Sequence, residues 1–144
     1  MAAANPLFEV RLARGEADLR AAQRLRYDVF VAEMGSAGPG VDHARRLESD
    51  GFDAAFDHLL LIDHAGPGVV ATCRLGDAGA ASRAGRYYSE AEYDLAPLLA
   101  SGQRLLELGR SCLHPAYRGG PAMYHLWHGL WGVIADRGAE ILFG

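Results

Sequence analysis

Lysine is absent from this chain of 144 residues. A lysine nucleophile or Schiff base is therefore excluded, and every long-chain cation is an arginine. Acids outnumber arginines, 18 to 14, for a net charge of −4. That balance argues against nucleic acid, which calls for a basic patch. Cysteine is scarce. Cys73 and Cys112 both lie in apolar runs. The N-terminus, MAAANPLFEV, lacks a charged n-region and a long apolar core, so no secretory leader is expected. Reduced thiols in a cytoplasmic protein follow as the default. No run approaches the ~18 apolar residues of a membrane span. A peripheral contact with the inner membrane stays open. Half of the residues (50%) are hydrophobic, which is the composition of a globular chain. The length suits one domain, residues 1–144, with a single core.

Leu7 to Ala13 alternates, with Phe8, Val10 and Leu12 on one face, and reads as a strand. Gly15, Glu16 and Asp18 open a helix whose stripe is Leu19, Ala22, Leu25, Val29 and Ala32, and Gly35 ends it. Residues 36–57 form an acidic loop. His58–Asp63 and Val69–Leu75 are short strands joined by Ala65-Gly66-Pro67-Gly68, a hairpin signal. Gly76 to Gly85, rich in alanine and glycine, is expected to be a mobile loop. Ser89 to Ala100 is expected to be a short helix, with Ser89 and Glu92 at capping-box spacing. The expected fold class is α/β (α+β): a mixed, mostly antiparallel sheet flanked by helices.

The segment from Leu105 to Gly144 carries the most chemistry. It reads as strand, glycine turn, helix and strand, and the last two strands should be parallel. The helix from Ala122 to about Arg137 places Met123, Leu126, Trp127, Leu130, Trp131 and Ile134 on one stripe. Both tryptophans read as core. The turn Tyr117-Arg118-Gly119-Gly120-Pro121 feeds the helix start. Free N–H groups and the helix dipole favour an anion there. That suits the phosphates of a nucleotide-like or pantetheine-type ligand. Pro121 fits a first helical turn but removes one donor.

This segment resembles the acyl-donor motif of the GNAT superfamily of N-acyltransferases. Within it, the chain looks most like the bacterial "hemolysin-like" branch that makes lyso-ornithine lipid by N-acylating ornithine from acyl carrier protein. The resemblance rests on Leu25 to Gly35, on Tyr87-Tyr88-Ser89 through Tyr93-Asp94-Leu95, and on Leu106 to Cys112 with Pro115-x-Tyr117-Arg118. It runs over nearly all of the chain. It implies a GNAT-like acyl-CoA N-acyltransferase fold. It implies no permanently bound cofactor, with an acyl carrier protein thioester (phosphopantetheine) or acyl-CoA as co-substrate. It also implies further elements past Gly144 that complete the sheet and acyl tunnel, so the domain is expected to be incomplete.

Glu107 and Arg110 are the catalytic candidates. An acid inside an apolar strand is costly unless it is paired or functional. Amide formation from an ammonium needs a base. The resemblance gives that role to Glu107, and the competing reading is a salt bridge at the sheet edge. Arg110 and Arg74, embedded in apolar strands, suit a carboxylate of the acceptor. Ion pairing with Glu107 or the loop acids is the equal alternative. The donor site would comprise the turn residues Tyr117, Arg118, Gly119, Gly120 and Ala122, with N–H groups near Leu113 polarising the thioester carbonyl. The acceptor site would take Arg26, Phe30, Asp50, Asp57 and Arg74. Glu48, Asp50, Asp53 and Asp57 crowd one loop and would attract a cationic side chain. A solvated acidic loop is the plainer reading of that cluster.

The histidines make no metal set, since His125 and His128 lack further ligands at a fitting spacing. Gly109-x-Ser111 is no nucleophile elbow, because Leu113 stands where glycine is required. Cys112 reads as packing. The activity the resemblance implies is transfer of a fatty acyl group, with or without a 3-hydroxyl, from acyl carrier protein to the α-amine of an amino acid, ornithine first, in ornithine lipid biosynthesis. The alternatives are acyl-homoserine lactone synthesis from S-adenosylmethionine, a non-catalytic acyl-carrier-binding module, or an inactive fragment.

Overall fold

The computed structural model describes residues 5–144; the first four residues of the segment read for a leader lie outside it. In chain order the elements are β1 (Phe8–Leu12), α1 (Gly15–Arg26), β2 (Val41–Asp42), β3 (Leu47–Glu48), β4 (Asp57–Asp63), β5 (Gly68–Asp77), α2 (Ala78–Ala84), α3 (Ala96–Leu99), β6 (Leu105–Leu113), α4 (Ala122–Arg137) and β7 (Ile141–Phe143). The main sheet has the order β1-β4-β5-β6-β7. Its first three pairings are antiparallel and the last, β6 with β7, is parallel. The expected mixed, mostly antiparallel sheet is what the chain forms.

β4 explains why helices cover both faces. Its run His58-Leu59-Leu60-Leu61-Ile62 is buried throughout, so neither face can meet water. Leu59 and Leu61 pack with Leu126 and Leu130 of α4. Leu60 and Ile62 pack against Ala22 of α1. α4 lies so close to β1 that a Cβ on Gly129 would come within 2.2 Å of Val10 Cγ1. Only glycine permits that approach.

Several expectations fail for identifiable reasons. Trp127 and Trp131 are 47% and 69% exposed, not core. Leu126 and Leu130 take the inward line, and each following residue is turned about 100° around the helix. Gly76 to Gly85 is no loop. β5 runs on through Asp77, and α2 follows. The Asp77 carboxylate accepts the Ala80 N–H at 2.9 Å, and Gly85 closes the helix at φ 96°. Ser89–Ala100 is not one helix. A 3-10 turn, Tyr88–Ala91, and the short α3 replace it. Pro97 fits only the first turn of α3 and would clash inside a longer helix. Glu90, rather than Glu92, reaches back, accepting the Tyr87 N–H. The first helix does extend toward Gly35, but from Tyr27 to Glu33 it widens into a π-helix. The acidic loop contains the β2–β3 hairpin.

The burial pattern sets a stability contrast. Leu60→Ala should cost about 2–5 kcal/mol through lost transfer energy and a cavity. Trp131→Ala should change stability by less than about 0.5 kcal/mol, as an exposed position does. Urea unfolding of both variants checks this, and comparable losses would contradict the packing described.

Candidate active site

Three arginines and three acids from four parts of the chain meet under the sheet's α1 face. Arg26 ends α1 and is 0% exposed. Its Nε donates to Glu48 Oε2 at 2.6 Å and its Nη1 to Asp53 Oδ1 at 2.8 Å. Arg74 of β5 donates from Nη1 to Asp50 Oδ1 at 2.6 Å and to the same Asp53 oxygen at 2.8 Å. Gln23 donates to the other Asp53 oxygen at 2.9 Å. Burial works to raise the Asp53 carboxyl, but the Arg26 charge and these bonds hold it below the usual range. Burial likewise works against the charge on Arg26, and Asp53 and Glu48 overcome it. His58 is buried and pushed down by desolvation, so it stays neutral and donates Nε2–H to the Asp53 carbonyl at 3.0 Å.

Arg110 approaches this cluster from β6. Its Nη2 lies 3.7 Å from Glu48 Oε1 and 3.8 Å from Asp50 Oδ2, and it donates to the Tyr88 hydroxyl at 3.2 Å. Its backbone has φ 50°, rare for a residue with a side chain. The strand pairing explains it. Thr72 faces Cys112 and Arg74 faces Gly109, so Arg110 and Ser111 together oppose Cys73 alone. This is a β-bulge, and it turns Arg110 into the site.

Glu107 is 3% exposed. Its Oε1 accepts the Tyr88 N–H and its Oε2 the Ser89 N–H, each at 2.8 Å. It therefore anchors the 3-10 turn as well as bordering the site. Two adjoining cavities lie here, of about 210 and 350 Å³. Phe30, Tyr88 and Arg110 line both. Arg74, Glu107 and Ser111 line the smaller, and Glu48, Asp50 and Phe52 the larger. Arg74 Nη2, Arg110 Nε and Asp50 Oδ2 are buried without a hydrogen bond among the described residues. Unpaired buried polar atoms are costly. Around the cavities, three guanidinium groups (Arg26, Arg74, Arg110) meet four carboxylates (Glu48, Asp50, Asp53, Glu107). Setting apart the exposed Arg86, whose guanidinium lies 5.0 Å from the Phe52 ring, one negative charge is in excess.

The glycine turn follows β6. A 3-10 turn, Pro115–Tyr117, leads through Gly119 at φ 79° into α4. The N–H groups of Gly119, Gly120, Ala122, Met123 and Tyr124 make no hydrogen bond among the described residues. Arg118 ties the turn down, donating to Glu33 Oε1 at 2.8 Å and to the Leu113 carbonyl at 3.1 Å.

Of the residues singled out from sequence, Phe30, Asp50, Arg74, Glu107 and Arg110 come together. Arg26 belongs to the cluster but lies behind the cavity walls. Asp57 stands apart. It is 2.6 Å from Arg137 Nη2, in a pair shared with Asp77. The acid that belongs is Asp53, four residues earlier on an irregular turn that no periodicity could phase. Tyr117 is 5% exposed, with its hydroxyl donated to Asp63 Oδ2. Arg118 is bonded to protein groups. The Leu113 side chain packs on the core, opposite Ala71. Gly119, Gly120 and Ala122 do stand at the free N–H groups. Sequence reading did not single out Glu48 by itself, or Gln23, His58, Tyr88 and Ser111. Tyr88 and Ser111 lay within the recognised motifs, which was the available signal.

Burial pushes the Cys112 thiol up to about 12 and raises that of Cys73, so neither is a thiolate nucleophile near neutral pH. Among the described residues no His, Cys, Asp and Glu group of three or more could hold a metal ion. No described helix is long and apolar enough to cross a membrane.

A family model for the acetyltransferase (GNAT) domain matches residues 25–128. An L-ornithine N(alpha)-acyltransferase of Rhodobacter capsulatus is 55% identical over 149 aligned positions, which cover 100% of this chain and 58% of that protein. One of Brucella abortus is 40% identical, over 95% of this chain and 51% of its own. The chain thus spans about half the length of these curated relatives. Among solved structures, FeeM, an N-acyl amino acid synthase from uncultured soil microbes, has a TM-score of 0.72 at 16% identity, covering 96% of this chain and 70% of its own. The AHL synthase LasI has a TM-score of 0.65 at 17% identity, covering 96% and 71%. These two likenesses concern the fold.

The two turn glycines separate strain from ligand approach. Gly119→Val forces a side chain into a left-handed conformation and should destabilise the protein by about 1–2 kcal/mol. A Cβ on Gly120 meets nothing nearer than the Tyr117 carbonyl at 3.9 Å, so Gly120→Ala should fold unchanged. Gly120→Ala should still weaken binding of a pantetheine phosphate. Thermal melts with coenzyme A titration check both, and unchanged affinity in Gly120→Ala would count against the turn as a phosphate site.

Proposed function

This chain belongs to the GNAT acetyltransferase family, and on that premise we propose that it carries out N-acylation of the α-amine of L-ornithine with a fatty acyl group from a thioester donor. The observation that carries the acceptor class is the excess negative charge around the two cavities. Ornithine at neutral pH bears two ammonium groups and one carboxylate, a net single positive charge. It balances the site, whereas a neutral amino acid leaves a buried charge uncompensated. The relatives named for ornithine support the same acceptor.

Arg110 Nε, unpaired and buried beside Nη2, suits bidentate capture of the acceptor carboxylate. Asp50 Oδ2 and Glu48 Oε1 suit the side-chain ammonium. The α-ammonium then lies by Glu107. Each Glu107 oxygen holds one main-chain N–H and keeps a further lone pair. Glu107 takes one proton from the ammonium, directly or through water. The amine attacks the thioester carbonyl, the C–S bond breaks, and the second nitrogen proton passes to the leaving sulfur. No covalent enzyme intermediate is needed, in keeping with the buried thiols. The turn Gly119–Ala122 carries the donor phosphate on its free N–H groups. The donor is an acyl carrier protein thioester, with acyl-CoA as substitute, and the product is the lyso-lipid of ornithine lipid biosynthesis. Acyl-homoserine lactone synthesis has less support, because the likeness to LasI is at the level of fold.

Two measurements test this. With 3-hydroxyacyl carrier protein and a panel of ornithine, lysine, homoserine and alanine, mass spectrometry should find acylated ornithine as the main product. Asp50→Asn should raise the KM for ornithine roughly tenfold, equivalent to ~1.4 kcal/mol. No acyl transfer, or preference for alanine, would overturn the reading. Glu107→Gln should lower turnover roughly 10²–10⁴-fold. Its amide also faces a main-chain donor, so circular dichroism must show retained fold. A folded variant with near-normal turnover removes Glu107 as base.

A further inference from the structure

We propose that the hydrogen bond between Tyr117 and Asp63 is a latch that sets the position of the donor turn, making both positioning residues for the acyl donor. The inference rests on the reading of Gly119–Ala122 as the donor's phosphate turn. Tyr117 sits two residues before Gly119, in the 3-10 turn that leads out of β6. Its hydroxyl donates to Asp63 Oδ2 at 2.6 Å. Asp63 closes β4 and is 0% exposed. Its other oxygen accepts the Leu7 N–H and the Ala65 N–H, both at 2.9 Å. The Tyr117 bond first of all, with these two against the effect of burial, holds the Asp63 carboxyl below the usual range. A charged acceptor makes the O–H bond short and strong.

The surroundings leave the pair no freedom. A Cβ on Gly66 would lie 2.6 Å from both Asp63 Oδ2 and the Tyr117 hydroxyl, so the β4–β5 turn wraps the bond closely. The rings of Phe8 and His114 flank Tyr117 with centroids at 6.1 and 5.7 Å. The turn is otherwise largely exposed, and its further side-chain ties are at the surface: Arg118 to Glu33 and to the Leu113 carbonyl, and His114 Nδ1 accepting the Ala116 N–H. Surface pairs contribute little and are screened by salt. The buried latch is thus the rigid tie. Through it, the height of five unpaired N–H groups is referred to β4, the most buried strand of the sheet. A phosphate site made of main-chain donors works only while those donors point together.

Tyr117→Phe keeps the ring and removes the bond. The expected result is a rise of roughly tenfold in the KM for the acyl donor, as for loss of one charge-assisted bond. Turnover and the KM for ornithine should stay within about twofold. Amide hydrogen exchange should quicken at the hydrogen-bonded N–H groups of the segment, those of His114, Ala116, Tyr117 and Arg118, and be unchanged in β4 and β5. Asp63→Asn keeps the Oδ1 acceptor and can still bond the Tyr117 hydroxyl through its amide, so its donor KM should stay within about threefold of the native value. Binding of coenzyme A, followed by calorimetry, gives a readout independent of turnover. Faster exchange at those N–H groups with weaker coenzyme A binding supports the latch even where the native protein transfers no acyl group, an outcome that sinks only the acyltransferase reading. Unchanged exchange there overturns the latch. So does a parallel loss of donor KM, acceptor KM and melting temperature, which marks Tyr117 as ordinary core.

Discussion

The Asp53 carboxylate takes hydrogen bonds from Arg26, Arg74 and Gln23 at once, in a place shielded from water. The donors come from two elements, α1 and β5, that the apolar core and the sheet already bring side by side. Arg26 and Gln23 fix the end of α1, and Arg74 fixes the middle of β5. A guanidinium buried without its partner costs about 3–5 kcal/mol. Asp53 therefore holds the end of α1 and the middle of β5 to one loop. The loop from Asp50 to Phe56 is irregular because it serves this anion. Its turns put Asp50 and Asp53 on the same Arg74 nitrogen. His58, neutral and bonded to the Asp53 carbonyl, braces the same loop from β4.

With that tie made, the β6 bulge determines what faces the cavity. One extra residue opposite Cys73 forces Arg110 to φ 50° and turns its side chain toward Glu48 and Asp50. Three residues earlier on the same strand, Glu107 holds the Tyr88 turn, and Tyr88 places its ring 5.4 Å from the Arg110 guanidinium. Two residues after the strand ends, the chain enters the turn that Tyr117 anchors. One strand thus carries the proposed base, the proposed carboxylate binder and the lead-in to the donor turn. The distances between them follow from strand rise and a single bulge.

Sequence reading went far where side-chain chemistry and short spacing sufficed. The order of strands, the hairpin at Ala65–Gly68, the parallel β6–β7 unit and the glycine turn were all legible. Strand alternation alone puts Glu107 and Arg110 on opposite faces, and only the bulge brings both to one cavity, where Arg110 faces Glu48 and Asp50 rather than Glu107. Sequence reading failed where the answer depended on long-range packing. Trp127 and Trp131 share a helical stripe with Leu126 and Leu130, yet β1 and β4 are too narrow a bed to bury all four. Asp57 and Asp53 look alike in an acidic loop. The difference is made by Arg137, 80 residues away, which claims Asp57. Tyr117 belongs to the glycine turn in sequence, and that its hydroxyl is given to Asp63, on another strand, is visible only in the fold. Arg110's left-handed backbone leaves no trace in composition, because the bulge exists only once β5 and β6 pair.

The charge count constrains the proposed reaction beyond the choice of acceptor. Before transfer, four carboxylates face three guanidinium groups, and an acceptor with one net positive charge neutralises the whole. Acylation turns the α-ammonium into a neutral amide, so the bound product keeps one carboxylate and one ammonium and carries no net charge. The proton given to Glu107 removes one carboxylate charge from the protein, leaving three against three. Site and ligand together are balanced at both ends of the step, with no net charge taken from or given to water. In a buried site, where uncompensated charge is expensive, that match favours a dicationic amino acid over a neutral one. It also makes re-ionisation of Glu107 the event that restores the excess negative charge and readies the site for the next cationic acceptor.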